Sequence, residues 1–179
     1  ILLGLVGSEM CIRDRVVGQD HAVQALKNSI VDEKVNQAYI FNGTRGVGKT
    51  SIARILTKAL NCEKHIKGEP CGKCDHCLAM NENSSIDFQE IDAASRRSRE
   101  ETMNLLETVP YLPASSKYKV YLIDEVHMLT KESFNALLKT LEEPPPHVIF
   151  MFATTEIYLS LIKIRRCRRS VNCKYRRSP

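Results

Sequence analysis

The stretch AYIFNGTRGVGKTSIARILTKAL, residues 38–60, decides the fold. Its first residues form a short apolar run that stops at Gly43, and its last residues repeat apolar side chains at helical spacing. Between them, GTRGVGKT at 43–50 fits G-x-x-x-x-G-K-[ST], the pattern of a phosphate-binding loop. Because strand, loop and helix follow one another in the order that such a loop requires, a chance glycine-rich turn is disfavoured.

Each residue type in this loop has a chemical reason. Gly46 and Gly48 let the backbone curl so that its N–H groups point at phosphate oxygens beside a helix N-terminus. Lys49 is expected to reach the β- and γ-phosphates of ATP, and the Thr50 hydroxyl to ligate Mg²⁺. The predicted nucleotide-binding residues of the loop are Gly43, Thr44, Arg45, Gly46, Val47, Gly48, Lys49, Thr50 and Ser51.

The rest of the chain alternates strand and helix patterns. Helices are predicted in HAVQALKNSIVDEK (21–34), KTSIARILTKALNC (49–62), REETMNLLETV (99–109) and KESFNALLKTLEEPPP (131–146). Strands are predicted in AYIFNG (38–43), DFQEID (87–92), KVYLIDE (119–125) and VIFMFATT (148–155), the last two apolar enough to be buried on both faces. This alternation predicts an α/β domain with a parallel sheet flanked by helices.

Polar residues follow the two most apolar strands. Asp124 is expected to hold the Mg²⁺ shell together with Thr50, and Glu125 to act as the base for an attacking water. Alone, such a pair would read as an exposed strand end; beside a phosphate-binding loop it indicates hydrolysis. Thr154 and Thr155 end the next strand, where one hydroxyl could orient water near the γ-phosphate or simply end the strand.

CEKHIKGEPCGKCDHC at 62–77 places Cys62, Cys71, Cys74 and Cys77 within sixteen residues. Four thiolates satisfy a closed tetrahedral zinc site, with His65 and His76 as substitute ligands. For an iron–sulfur cluster, the sequence lacks the further cysteine that usually follows such a run. A redox pair would need only one C-x-x-C. Buried free cysteines without a metal are the remaining alternative. We expect a structural zinc module at about 62–80.

Composition restricts the class of protein. A chain of 179 residues with 43% hydrophobic and 26% charged residues is typical of one soluble domain, without a membrane span or signal peptide. We expect a cytoplasmic protein without stable disulfides. The formal charge of +5 comes from the C-terminal segment: eight basic residues follow Ile162 without an acidic one, leaving 18 basic and 21 acidic residues before it.

Both ends depart from this pattern. Residues 1–15 show neither a helical period nor strand alternation and resemble translated adapter sequence, so we expect a non-native head. Residues 163–179 are basic and patternless, as a shifted reading frame or a disordered segment would be; a genuine basic arm is the alternative. The domain itself is expected at 16–162.

The order of these motifs resembles one family. The loop, the cysteine cluster, EIDAAS, YLIDEVHMLTKESFNALLKTLEEPP and FATTE match the AAA+ module of the bacterial DNA polymerase III gamma/tau subunits, from about Val16 to Glu156. The resemblance implies an AAA+ P-loop ATPase of the sliding-clamp loader, which loads the clamp onto primed DNA. Implied cofactors are ATP, Mg²⁺ and Zn²⁺, and implied partners are other loader subunits, the clamp and primer–template DNA.

The resemblance also implies residue roles. Asp124 and Glu125 would be the Walker B pair, Thr155 the sensor, and Val17 part of the adenine pocket. Arg96, Arg97 and Arg99 would approach template DNA, although a solvated charged turn is an equal interpretation. Arg166, in RRC where the family has SRC, would be the arginine finger that acts on a neighbouring subunit's ATP.

Some features depart from the family. No stretch of the chain matches its lid or its oligomerising collar, so we expect the chain alone to be monomeric and almost without ATPase activity. Two other classes remain open. DEVH beside a P-loop is also found in superfamily 2 helicases, which would show S-A-T where this chain has ATT. A non-hydrolysing zinc- or nucleotide-binding interaction module is the other, and a purely zinc-binding module would need neither Lys49 nor Glu125.

Overall fold

A computed structural model of the chain describes residues 20–95 and 98–156. Helices and strands alternate along it as the sequence predicts, apart from a short helix that follows the cysteine loop and a 3₁₀ turn that follows Glu125. In chain order the elements are α1 (Asp20–Val31), β1 (Ala38–Asn42), α2 (Lys49–Leu60), α3 (Asp75–Asn81), β2 (Phe88–Asp92), α4 (Ser98–Thr108), β3 (Lys119–Asp124), the 3₁₀ turn (Val126–Met128), α5 (Lys131–Glu142) and β4 (Val148–Thr154).

The four strands form one parallel sheet in the order β1-β4-β3-β2. Asn42 pairs with Thr154, and Asp92 pairs with Asp124, so the carboxyl ends of all four strands lie along one edge. The predicted parallel sheet is confirmed. In such sheets ligands bind at this edge, and here it carries the phosphate-binding loop.

The core has two layers because side chains alternate across each strand. One face of the central strands, including Leu122 and Met151, packs against Leu56 and its neighbours on α2. The opposite face, including Tyr121 and Phe150, packs against Leu105 of α4 and other side chains of α4 and α5. The six residues of β3 are buried except for half-buried Asp124, and all seven of β4 are buried, which confirms that both faces of these strands are covered.

The cysteine loop docks on α1. Gly68 and Gly72 have φ values of 79° and 74°, in the left-handed region that favours glycine and allows tight turns. A Cβ atom on Gly68 would lie 2.8 Å from the carbonyl oxygen of Lys27, so only glycine allows this approach. The Lys27 ammonium also forms an ion pair with Glu69. The loop is therefore fixed to the domain by backbone contact as well as by charge.

Across the described ranges, no helix combines the length and apolar character that crossing a membrane requires.

Candidate nucleotide and metal sites

The phosphate-binding loop spans the turn between β1 and α2. The backbone N–H of Gly43 donates to the Thr154 carbonyl at 3.2 Å, which ties the start of the loop to the end of β4. Gly46 and Gly48 have φ values of 86° and 84°, in the left-handed region that favours glycine. The expected strand–loop–helix geometry is present.

Lys49 is buried within this loop, with only 8% of its surface exposed. Its Nζ atom donates to the carbonyl oxygens of Gly43 at 3.0 Å and Thr44 at 3.2 Å. A buried ammonium needs such acceptors. The loop thereby holds a positive charge where its own backbone curls, which suits it to a polyphosphate.

Thr50 and Asp124 meet although 74 positions separate them in sequence. The Thr50 hydroxyl donates to Asp124 Oδ2 at 2.8 Å, and the other carboxylate oxygen accepts the N–H of Glu125 at 2.8 Å. Mg²⁺ prefers oxygen ligands of this kind, one or two from the protein and the rest from water and phosphate. The two side chains fit the predicted magnesium site.

Glu125 lies at the turn that leaves β3. Its φ of 48° is in the left-handed region, which is strained for a residue with a side chain. Its Oε2 atom is buried and has no hydrogen-bond partner among the described residues; His127 Nδ1 lies 3.5 Å from it. A buried carboxylate oxygen without a donor is costly and is typical of a reacting group.

These groups line one cleft of about 640 Å³ at the carboxyl edge of the sheet. Its volume lies in the range of small-molecule sites. The residues lining it are Arg45, Gly46, Gly48, Lys49, Thr50, Ser51, Asp92, Ala94, Asp124, Glu125, His127, Met128 and Thr155.

The four cysteines form a second site. Their sulfur atoms all lie within 4.8 Å of one another, with 3.9 Å between Cys74 and Cys62 and 4.0 Å between Cys71 and Cys77. Four sulfurs bound tetrahedrally to zinc at about 2.3 Å are about 3.8 Å apart. The cluster therefore fits zinc with little adjustment.

The surroundings of the sulfurs favour binding of a cation. Backbone N–H groups donate to Cys62 Sγ at 3.2 Å and Cys71 Sγ at 3.3 Å. Hydrogen bonds from the backbone, that of Lys73 foremost, lower the pKa of Cys71 to about 6, whereas burial raises the pKa of Cys62 and of Cys77. A bound cation would supply the positive charge that compensates the buried thiolates.

Neither nearby histidine joins the metal site in the described part of the chain. His76 contacts the Ser116 hydroxyl through Nδ1 at 3.4 Å and lies 3.8 Å from Glu63 through Nε2, and His65 is exposed. The four-cysteine ligand set is favoured over the substitutes.

A sequence profile of the family described as "DNA polymerase III, delta subunit" matches residues 18–171, most of the chain. The chain belongs to this family. It is a homologue of the gamma/tau subunit: it is 58% identical over 141 residues to the DNA polymerase III subunit tau of Escherichia coli, and 51% identical over 143 residues to subunit gamma of Buchnera aphidicola subsp. Schizaphis graminum.

These matches take in 79% and 80% of the chain, but the chain spans only 22% of the first relative and 39% of the second. Among solved structures, a DNA polymerase III gamma-subunit-related protein from Thermotoga maritima matches with a TM-score of 0.58. It is 20% identical, with 80% of this chain and 43% of that chain covered. At that identity the structural likeness supports the fold alone. The α/β P-loop architecture of the gamma/tau homologue agrees with the expected AAA+ class.

Most of the predicted nucleotide-site residues line the cleft. Thr155, which the resemblance implies as the sensor, lines it, whereas Thr154 is fully buried. Gly43, Thr44 and Val47 belong to the loop but do not line the cleft.

Several predictions lie outside the described residues. Val17, Arg96, Arg97 and Arg166 fall there, as do the head at 1–15 and the tail at 163–179. Arg99 is described and is exposed in the first turn of α4.

Sequence reasoning missed two polar groups of the cleft. Asp92 ends β2, where its Oδ1 accepts the N–H of Ala94 at 2.9 Å, and His127 follows the acidic pair. The signal for Asp92 was its place at the end of a predicted strand. The signal for His127 is its place in the motif DEVH, two residues after Glu125.

Proposed function

We propose that this chain is the ATP-binding and hydrolysing domain of a bacterial clamp-loader subunit, which places the sliding clamp on primed DNA. The observation that carries the proposal is the convergence of Lys49, Thr50, Asp124 and Glu125 on one cleft. Identity of 58% to a tau subunit supports the assignment to this class rather than to the helicases.

In this proposal the loop binds the triphosphate. The backbone N–H groups around Gly46 and Gly48 and the ammonium of Lys49 contact phosphate oxygens, with the phosphates replacing the carbonyl contacts that Lys49 makes to Gly43 and Thr44. Thr50 and Asp124 would hold Mg²⁺, which supplies charge neutralisation on the phosphates.

Hydrolysis needs an oriented water. Glu125 accepts a proton from the water as its oxygen attacks the γ-phosphorus, the bond to the bridging oxygen breaks, and ADP and phosphate leave. Thr155 is placed to orient the γ-phosphate or the water. Arg166 is proposed to act on the ATP of a neighbouring subunit; such an arginine is worth roughly 10³–10⁵ in rate.

The cysteine cluster has a structural role in this proposal. Four thiolates leave no open position on zinc for a substrate. Primer–template DNA is proposed to contact Arg96, Arg97 and Arg99 through its phosphates, while the clamp and other loader subunits are the protein partners.

Binding of Mg²⁺·ATP to the chain tests the proposal. Lys49→Ala removes a charged phosphate contact, so affinity should fall roughly 10- to 100-fold by titration calorimetry. Lys58→Ala, a half-buried lysine in the last turn of the same helix whose ammonium contacts Asn81, is the matched control and should bind normally.

Turnover is measured in the assembled loader, because the trans arginine dominates the rate. Glu125→Gln should keep binding and lose turnover, since only proton acceptance is removed. Equal turnover in Glu125→Gln and the unaltered subunit would show that another group is the base. Unchanged binding in Lys49→Ala would leave a zinc-dependent interaction module as the better description.

A further inference from the structure

His127 stands between the proposed base and the end of strand β4. Its Nδ1 atom lies 3.1 Å from the Thr154 hydroxyl oxygen and 3.5 Å from Glu125 Oε2. Its side chain is 13% exposed and that of Glu125 is 23% exposed, so protein surrounds most of both groups. One ring nitrogen thus faces two oxygens that belong to two different strand ends.

The protonation of Nδ1 decides with which of these two oxygens it forms a hydrogen bond. Without a proton, Nδ1 accepts the O–H of Thr154, and the imidazole then offers no donor to Glu125. With a proton, Nδ1 donates to Glu125 Oε2, which is otherwise buried without a hydrogen-bond partner among the described residues. The ring proton moves between Nδ1 and Nε2, so the exchange changes no net charge.

The backbone fixes this geometry. Met128 N–H donates to the Glu125 carbonyl at 2.8 Å and closes the 3₁₀ turn that carries His127 back beside Glu125. At the end of β4, the Thr154 hydroxyl oxygen accepts the N–H of Glu156 at 3.0 Å. This hydrogen bond spans the exposed Thr155 and fixes the position of the Thr154 hydroxyl. A shift of Thr155 would therefore reach the hydroxyl that His127 contacts.

We propose that His127 is a positioning residue that couples the end of β4 to the carboxylate of Glu125. When Nδ1 is paired with Thr154, the carboxylate is free to turn to the cleft; when Nδ1 donates to Oε2, the carboxylate is held. Contact between Thr155 and the γ-phosphate thereby sets the orientation of the base. The inference rests on the proposed function through the role of Glu125.

Nitrogen-15 NMR of the histidine rings tests the coupling in this chain without requiring turnover. The chain has five histidines, and His127→Gln identifies the signals of His127 by their loss. At mildly alkaline pH, Thr154→Val removes the hydroxyl, so the Nδ1 signal should move towards that of a protonated nitrogen. Glu125→Gln removes the charge that attracts the proton, so the signal should move in the opposite direction.

Two controls separate coupling from general disturbance. Thr154→Ser keeps the hydroxyl and should keep the unaltered signal. Thr108→Val removes a threonine hydroxyl that contacts Tyr121, whose pairing partner on β4, Phe150, lies four residues before Thr154, and it should also leave His127 unchanged. If Thr154→Val does not fold, the Glu125→Gln and Thr154→Ser pair decides. An unmoved signal in Glu125→Gln, or movement in the same direction in all variants, would overturn the proposal.

Nucleotide binding distinguishes this proposal from the function on which it rests. His127→Gln should bind Mg²⁺·ATP as the unaltered chain does, because His127 positions the base and holds no phosphate. A loss equal to that of Lys49→Ala would show that His127 acts in binding, and the positioning role would be wrong. Unchanged binding in Lys49→Ala would instead refute the proposed function, while the NMR result would still decide the coupling.

Discussion

The cysteine cluster and the nucleotide cleft are built in contrasting ways. The cluster takes its four ligands from sixteen consecutive residues, turned back on themselves at Gly68 and Gly72. The cleft takes its groups from the loop after β1 and from the carboxyl ends of β2, β3 and β4. One site depends on local spacing, and the other depends on the order of strands in the sheet.

The two sites also differ in their chemistry. Each thiol has another thiol nearby, and a zinc ion would complete a closed set with no position for a substrate. The cleft is open and retains a buried carboxylate oxygen on Glu125 without a hydrogen-bond partner in the described ranges. A structural ion needs all its ligand positions filled by the protein, whereas a reacting substrate needs polar groups that are not already paired within the protein.

Helix α2 separates the two sites. It begins at Lys49, within the phosphate-binding loop, and ends at Leu60, two residues before Cys62. At 1.5 Å per residue its twelve residues span about 18 Å. We therefore expect that a substitution that disables one site leaves the other site intact.

Loss of a zinc ligand should have the largest effect. Cys77 is fully buried, so Cys77→Ser should abolish stoichiometric zinc, measured by metal analysis, and lower the free energy of unfolding by about 3 kcal/mol or more. Mg²⁺·ATP affinity should remain, because the phosphate-binding loop lies at the other end of α2.

The matched control is Cys11→Ser, which removes a cysteine outside the cluster. It should leave one zinc per chain. Iron in place of zinc, or full zinc retention by Cys77→Ser, would contradict the four-thiolate assignment. Loss of ATP binding in Cys77→Ser would contradict the independence of the two sites.

Asp87 should have the next largest effect, because it stabilises the loop before β3 beside the metal module. Its carboxylate accepts backbone N–H groups of Ala114, Ser115 and Ser116 at 2.7–2.9 Å. Burial raises the pKa of Asp87, but these donors together outweigh burial and hold it below its usual value. Asp87→Asn should lower the free energy of unfolding in urea by about 2 kcal/mol at neutral pH.

The sign of the pH dependence follows from the lowered pKa. The stabilisation is present above the unfolded-state value of 3.8 and is lost as pH falls through the lower folded-state value. The difference between Asp87→Asn and the unaltered chain should therefore shrink below pH 3.8. Glu107→Gln, an exposed carboxylate, is the control; a difference that grows in acid would exclude this account.

The magnesium pair should have the smallest effect of the three. Thr50→Val keeps the shape of the side chain but removes the hydroxyl that contacts Asp124. Affinity for ATP with Mg²⁺ should fall about tenfold, the cost of one strong polar contact. Affinity measured with EDTA should not change.

Ser84→Ala, which removes an exposed hydroxyl outside the cleft, is the control for Thr50→Val. Equal losses with and without the metal would mean that Thr50 stabilises the loop rather than the cation. In either result the zinc content should stay at one per chain.

Local spacing explains what the sequence predicted well. The eight predicted helices and strands that contain the motifs are present, because their apolar periods and the prolines after α5 act within single segments. The phosphate-binding loop and the four-cysteine set were also predictable, since all their members lie within a few turns of chain.

Tertiary structure decided what lies between segments. Only the parallel pairing of Asp92 with Asp124 brings the end of β2 to the cleft, and only the packing of the 3₁₀ turn on β4 brings His127 to Thr154. The sequence by itself determined the loop, the metal ligands and the type of each element, because these depend on neighbours along the chain. The order of strands, and therefore the full set of groups in the cleft, depends on contacts between residues far apart in sequence, which a local pattern does not encode.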